Sequence, residues 1–267
     1  MPTRIGRAPL STPATGRAAL IAVAHGSRDP RSAATMTAVV AEIAAARPDL
    51  DVHLAFLDLC APSVERVVDV VAARGHRHAV VVPLLLGSAF HARIDLPGLL
   101  DAARARHPRL RLTQAEILGP DPRLIAALRD RVAARVPDEH TSARHLRASA
   151  DRLGVIVAAV GSSRSEANAR TAAVADRLAE LTGWNTEICF ATAEPTVDRA
   201  HDRLRARGID RVVVGTWFLA PGLLTDRLHT VAPALPHAEV IGPHPALTDI
   251  VLDRYDAART DIVTRTA

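Results

Sequence analysis

An internal repeat constrains this chain more than any single motif does. Residues 21–46, IAVAHGSRDPRSAATMTAVVAEIAAA, align without a gap with residues 156–181, IVAAVGSSRSEANARTAAVADRLAEL. Each copy reads as an apolar strand, a Gly-Ser turn and an Ala-rich amphipathic helix. Further on, ILGPDPRLIAALRDR at 117–131 aligns with VIGPHPALTDIVLDR at 240–254, which sets the far end of the unit. Between these ends 52–56 pairs with 186–190, 62–64 with 195–197, and 79–86 with 212–219. Short β-branched runs alternate with stretches at helical spacing, the pattern of βαβ units around a parallel sheet.

The predicted fold class is therefore α/β, with two similar lobes, each a parallel sheet flanked by helices. The boundaries read as a flexible leader at 1–17, an N-terminal lobe at 18–136, a polar linker at 137–152, a C-terminal lobe at 153–258 and a tail at 259–267. Packing the copies about a pseudo-twofold axis leaves a cleft between them and lets one chain, as a monomer, imitate a dimer.

Composition narrows the function. With 267 residues, 48% of them hydrophobic, the chain can bury a sizeable core. Its apolar runs are far shorter than a bilayer span, and residues 1–17 lack the apolar stretch of a secretory signal, so no membrane partner is expected. Two cysteines in separate apolar contexts make neither a disulfide framework nor a CxxC motif, which fits a reducing cytoplasm. Every basic residue is Arg, and acidic residues nearly balance them at a net charge of +4. With only 3% aromatic residues there is no stacking platform for bases, so nucleic acid is not an expected partner. Arginine does suit a polycarboxylate small molecule, because its guanidinium pairs bidentately with carboxylates. No GxxxxGK[ST], GxGxxG after the first strand, or GxSxG occurs.

In open parallel sheets ligands gather beyond the carboxyl ends of the strands. Two histidines stand there in the first copy: His25 ends ALIAVA and opens His25-Gly26-Ser27-Arg28-Asp29-Pro30, and His91 follows AVVVPLLL by way of Gly87-Ser88-Ala89-Phe90. The second copy keeps the scaffold but has Val160 at the place of His25 and Leu223 or Leu224 nearest that of His91. Two imidazoles converging on a cleft suit a borderline divalent ion and leave coordination positions open for a second ligand, and they also accept protons. A histidine after a strand is often only a surface residue, and the chain has twelve, so spacing alone leaves both readings open.

The segments LIAVAHGSRDPRS, AFLDLCAPSV and VVVPLLLGSAFHARIDLP resemble those of the class II chelatases of the CbiX and SirB type, over nearly the whole chain. The resemblance implies a chelatase-like fold and insertion of a divalent metal into a sirohydrochlorin-type tetrapyrrole, for sirohaem or cobalamin. It implies no organic cofactor: Fe²⁺, Co²⁺ or Ni²⁺ is substrate, held by His25 and His91, which assist its exchange for pyrrole protons. The long form with histidines only in the first copy is similar to SirB. Two positions depart from the family pattern: Asp58 stands where Glu is frequent, and Ala89 holds the place, two residues before the second histidine, where Gly is common.

Further substrate-binding candidates are Ser27, Arg28, Asp58, Arg93 and Asp95, with Arg28 and Arg93 placed to meet peripheral carboxylates. Asp95 also reads as the cap of a helix that Pro97 helps to start, Ser27 and Asp29 as caps of the helix after the turn, and Asp58 as a loop residue. Two rivals use the same cleft. One is a metal or tetrapyrrole carrier without catalysis. The other is a phosphohistidine-type phosphate-transfer enzyme, which usually has Arg immediately before its histidine, where this chain has Ala24.

Overall fold

A computed structural model describes residues 18–87, 95–136 and 153–265. The expected leader and linker, together with residues 88–94, lie outside the described residues. In the first half, β1 (Ala19–Ala24), β2 (Val52–Phe56), β3 (His78–Pro83) and β4 (Arg111–Gln114) form a parallel sheet in the order β2-β1-β3-β4. The helices α1 (Pro30–Ala46), α2 (Val64–Ala73) and α3 (Leu96–Arg106) connect these strands, and α4 (Pro122–Ala133) ends the unit. The second half repeats the order with β5 (Leu153–Ala159), β6 (Asn185–Phe190) and β7 (Arg211–Thr216) as β6-β5-β7. Its helices are α5 (Ser165–Thr182), α6 (Val197–Ala206), α7 (Leu223–Val231) and α8 (Pro245–Arg265). The counterpart of β4 is reduced to a bridge between Val214 and His237, with the Thr216 hydroxyl donating to the Ala238 carbonyl at 2.8 Å.

Every residue of β1 and β5 is buried, which is what a central parallel strand covered on both faces requires. Alternation sorts the side chains into separate cores. Ala19, Ile21 and Val23 face an outer core completed by α2 and α3, while Leu20, Ala22 and Ala24 face inward. In the second half Ile156 and Ala158 face α6 and α7, and Val155, Val157 and Ala159 face inward. The two inward faces belong to one continuous cluster, filled by α1, α4, α5 and α8. The α/β class and the paired parallel sheets are as expected.

The last helix of each half crosses to the other sheet. A Cβ on Gly215 of β7 would meet Val132 and Leu128 of α4, so the first half's final helix covers the second sheet. In return α8 packs on α1, β3 and β4. Its Tyr255, among the largest fully buried side chains, donates to the Ala18 carbonyl just before β1 at 2.6 Å. Arg123 of α4 pairs with Asp253 of α8, and Arg254 donates to the Ile117 carbonyl at 3.3 Å. The repeat thus encodes two units that each complete the other. The helix α8 also continues through Arg265, into residues that read as a tail in the sequence.

Away from the strand ends where ligands are expected, Asp51 leads into β2 and accepts from Arg74 at 2.7 Å, with His76 Nε2 at 2.9 Å and His53 Nε2 at 3.0 Å. Burial alone would raise its pKa, but these partners outweigh it and hold the carboxyl at about 2. A carboxylate depressed in the fold contributes stability that is complete above its unfolded pKa of about 4 and is lost as pH falls toward 2. Acid denaturation of Asp51→Asn should therefore show a shallower loss of stability between about pH 4 and pH 2 than the parent, followed by circular dichroism. Parallel acid limbs would contradict the assignment.

Candidate active site

The strand order changes direction between β1 and β3, since β1 connects outward to β2 on one side and β3 leads to β4 on the other. Such a switch point opens a crevice at the carboxyl ends of the two strands. Its position is fixed by register: Val23 lies beside Pro83, and the Leu84 N–H donates to the Val23 carbonyl at 2.8 Å. His25 is the first residue after β1 and is exposed. The chain leaves β3 through Leu84 to Gly87 and enters residues 88–94, so His91 and Arg93 lie outside the described residues.

The turn after His25 is set by contact with the loop after β2. Gly26 has φ +97°, a left-handed value, and a Cβ there would run into the Asp58 carbonyl oxygen. Two ladder bonds continue β1–β2 pairing into this loop, Leu57 N–H to Ala24 at 2.9 Å and Asp58 N–H to His25 at 3.0 Å. Cys60 closes it: its thiol donates to the Ser27 carbonyl at 3.0 Å, and the Ser27 N–H points back to the sulfur at 3.4 Å. Cys60 sits in an apolar stretch of sequence that does not mark it for this contact. No local signal exposes it, because its partner is thirty-three residues away.

Asp29 takes the capping role expected of it, whereas Ser27 does not cap the helix and instead braces the turn ahead of it. The Ser27 hydroxyl accepts from the Asp29 N–H at 3.1 Å, and Asp29 is the N-cap of α1, accepting from the Arg31 N–H at 2.9 Å. Hydrogen bonds from the Arg31 side chain and backbone hold the buried Asp29 carboxyl below the usual range. The same guanidinium reaches Asp226 in the first turn of α7, so Arg31 ties the histidine turn to the second half. A Cβ on Gly222, just ahead of α7, would lie 3.6 Å from the Ser27 hydroxyl and 3.9 Å from the Asp29 Cβ. Exposed ion pairs add little stability, so this contact matters for placement more than for strength.

Arg28 is exposed on the same turn, and Asp58 is exposed opposite it, with one carboxylate oxygen accepting from the Leu59 N–H at 2.7 Å. The structure therefore gathers His25, Ser27, Arg28 and Asp58 where the loops after β1 and β2 meet. Asp95 does not act as the expected cap. It occupies the position before α3, but its backbone is already helical (φ −69°, ψ −50°), and no side-chain capping bond forms. A capping side chain needs an extended backbone to turn toward the first N–H groups, as Asp29 has.

The second half confirms the register of the missing histidine. Ala191 N–H bonds to Ala159 and Thr192 N–H to Val160, repeating the bonds of Leu57 and Asp58, while Gly161 repeats the left-handed turn at φ +92°. Val160 thus occupies the backbone place of His25, and Thr192 that of Asp58. Among the described residues no three His, Cys, Asp or Glu side chains converge on a metal position, and no helix is long and apolar enough to cross a membrane.

The CbiX family model matches residues 19–135 and 154–258, one match for each half. The chain belongs to the CbiX family. A sirohydrochlorin cobaltochelatase of Priestia megaterium is 27% identical over 250 residues, covering 88% of this chain and 78% of that protein. A sirohydrochlorin ferrochelatase of Bacillus subtilis is 27% identical over 248 residues, covering 88% of this chain and 90% of that one. In fold, the chain is similar to SirB from Bacillus subtilis with Fe³⁺, at a TM-score of 0.72 and 22% identity over 91% of this chain and 95% of that one.

Proposed function

We infer that this CbiX-family protein is a sirohydrochlorin chelatase, inserting a divalent metal ion into the ring. The observation that carries the reading is His25, exposed on a glycine-enforced turn at the switch point of the first sheet, in a chain matched along both halves by the chelatase family. The second sheet's equivalent position is an imidazole-free Val160, which argues for one working site per chain.

In this mechanism the tetrapyrrole enters the crevice between the halves. His25 and His91 hold the incoming ion on one face of the ring, with positions left open for pyrrole nitrogens. Two pyrrole protons leave as the metal–nitrogen bonds form, and the imidazoles or Asp58 pass them to solvent. Arg28 and Arg93 meet peripheral carboxylates, and Asp95 has a lesser place at the entrance. Ser27, whose hydroxyl is engaged by the Asp29 N–H, shapes the turn. The metal is substrate, no organic cofactor is required, and iron for sirohaem is the first choice over cobalt. A monomer acting as an internal pseudo-dimer in the cytoplasm fits this role.

Anaerobic sirohydrochlorin mixed with Fe²⁺ or Co²⁺ and a catalytic amount of protein should yield many equivalents of metallated ring, faster than the protein-free blank by its absorption change. A product yield that stops at one equivalent per chain would instead mark a carrier.

A further inference from the structure

Two of the large apolar side chains that stand in solvent come directly after residues that touch the His25 turn, one from each half of the chain. Leu59 is 51% exposed and Leu223 is 65% exposed. Each follows a residue in contact with the turn: Asp58, whose carbonyl faces Gly26, precedes Leu59, and Gly222, set against Ser27 and Asp29, precedes Leu223.

Core packing explains neither side chain. Leu59 has φ 62°, a left-handed conformation that a leucine rarely adopts, and the Asp58 carboxylate holds it there by accepting the Leu59 N–H. The loop that carries it has one residue more than its counterpart: the bond from Phe56 N–H to Pro62 matches that from Phe190 N–H to Pro195. The added residue thus brings an exposed leucine to the side of the turn in the working half only. Leu223 opens α7 and points away from the outer core, against which the next residue, Leu224, does pack. It also lies in the connection that follows β7, which aligns in sequence with the segment after β3 that contains His91.

A tetrapyrrole has a charged rim and broad apolar faces. Histidines and arginines serve the metal and the rim but leave the faces in contact with water. We propose that Leu59 and Leu223 form an apolar clamp that binds the face of the tetrapyrrole beside His25, making both of them ring-binding residues that set affinity for the substrate. This assignment rests on the chelatase reading. It also gives the second half a direct part in substrate binding: where the first half has a metal ligand, the second supplies a nonpolar contact to the ring.

The test uses the full chain with Leu59→Ala, Leu223→Ala, the double variant and Leu223→Met. Ring affinity is measured by anaerobic absorption titration with sirohydrochlorin alone, and KM and kcat by metal insertion. Losing one half-buried leucine contact weakens binding about tenfold. Each alanine variant should therefore raise both ring Kd and KM about tenfold, and the double variant up to about a hundredfold, with kcat within about twofold of the parent. Leu223→Met should restore most of the affinity, and melting temperatures should be unchanged because both side chains are exposed. A double variant that binds the ring as tightly as a fully active parent overturns the clamp and leaves the chelatase reading intact. A parent that neither binds nor metallates the ring overturns both.

Discussion

Replacing His25 by Ala is expected to lower metal insertion at least about a hundredfold in kcat, the scale on which a positioned acid–base or ligand group acts. The fold should be unaffected. His25 is exposed, and the features that shape its turn are backbone bonds to the β2–α2 loop, the left-handed Gly26, and the cap made by Asp29. None of them needs the imidazole. Thermal unfolding should therefore shift by no more than surface substitutions do, about half a kcal/mol. Ring binding without metal should also persist, since the proposed arginine and leucine contacts do not involve the imidazole. Added free imidazole should recover part of the rate, because the turn leaves room where the side chain stood. Anaerobic absorption kinetics beside a protein-free blank provide the measurement. An unchanged rate in His25→Ala would remove this residue from the site and leave the exposed turn without a chemical role.

An isolated fragment of residues 18–136 is expected to neither melt cooperatively nor metallate the ring. The reason is the helix exchange. The fragment loses α8, whose Leu247, Ile250, Val251 and Tyr255 are buried in the central core. At about 1.5–3 kcal/mol for each such side chain, the loss is about 6–12 kcal/mol, comparable to the whole stability margin of a domain. Its own α4 is meanwhile stranded without β7 to cover. Supplying residues 153–265 in trans should restore both the transition and turnover, because that piece returns α8 to β3 and β4 and recovers α4 on β7. Differential scanning calorimetry and the insertion assay read the two outcomes. A fragment that melts cooperatively and turns over alone would show that the second half is dispensable.

Much of the fold was legible in the sequence because the repeat states it twice. The alignment of residues 21–46 with 156–181 paired β1 with β5 and α1 with α5, and hydrogen bonds at His25 and Val160 place these residues in equivalent backbone positions. The cap at Asp29 was readable for a similar reason, since a cap acts on N–H groups two or three residues on. Asp95 failed the same pattern because its backbone enters the helix one residue early. Of the candidate site, His25 was legible from the rule that ligands gather beyond strand ends, while Asp58 entered only through the family resemblance.

What the sequence by itself determined is local: the period of each strand and helix, the glycine at the turn, the absence of a second His25. These depend on backbone preferences and on neighbours a few residues apart, and composition carries that information. Tertiary structure alone decided which helix covers which sheet, that Cys60 latches Ser27, that Arg31 reaches Asp226, and that Asp58 and Gly222, just before Leu59 and Leu223, both touch one turn. Those pairings join residues far apart in the chain, and apolar side chains attract without regard to partner. Only the close fit of the central core selects among the alternatives, and that fit exists only once both halves are folded together.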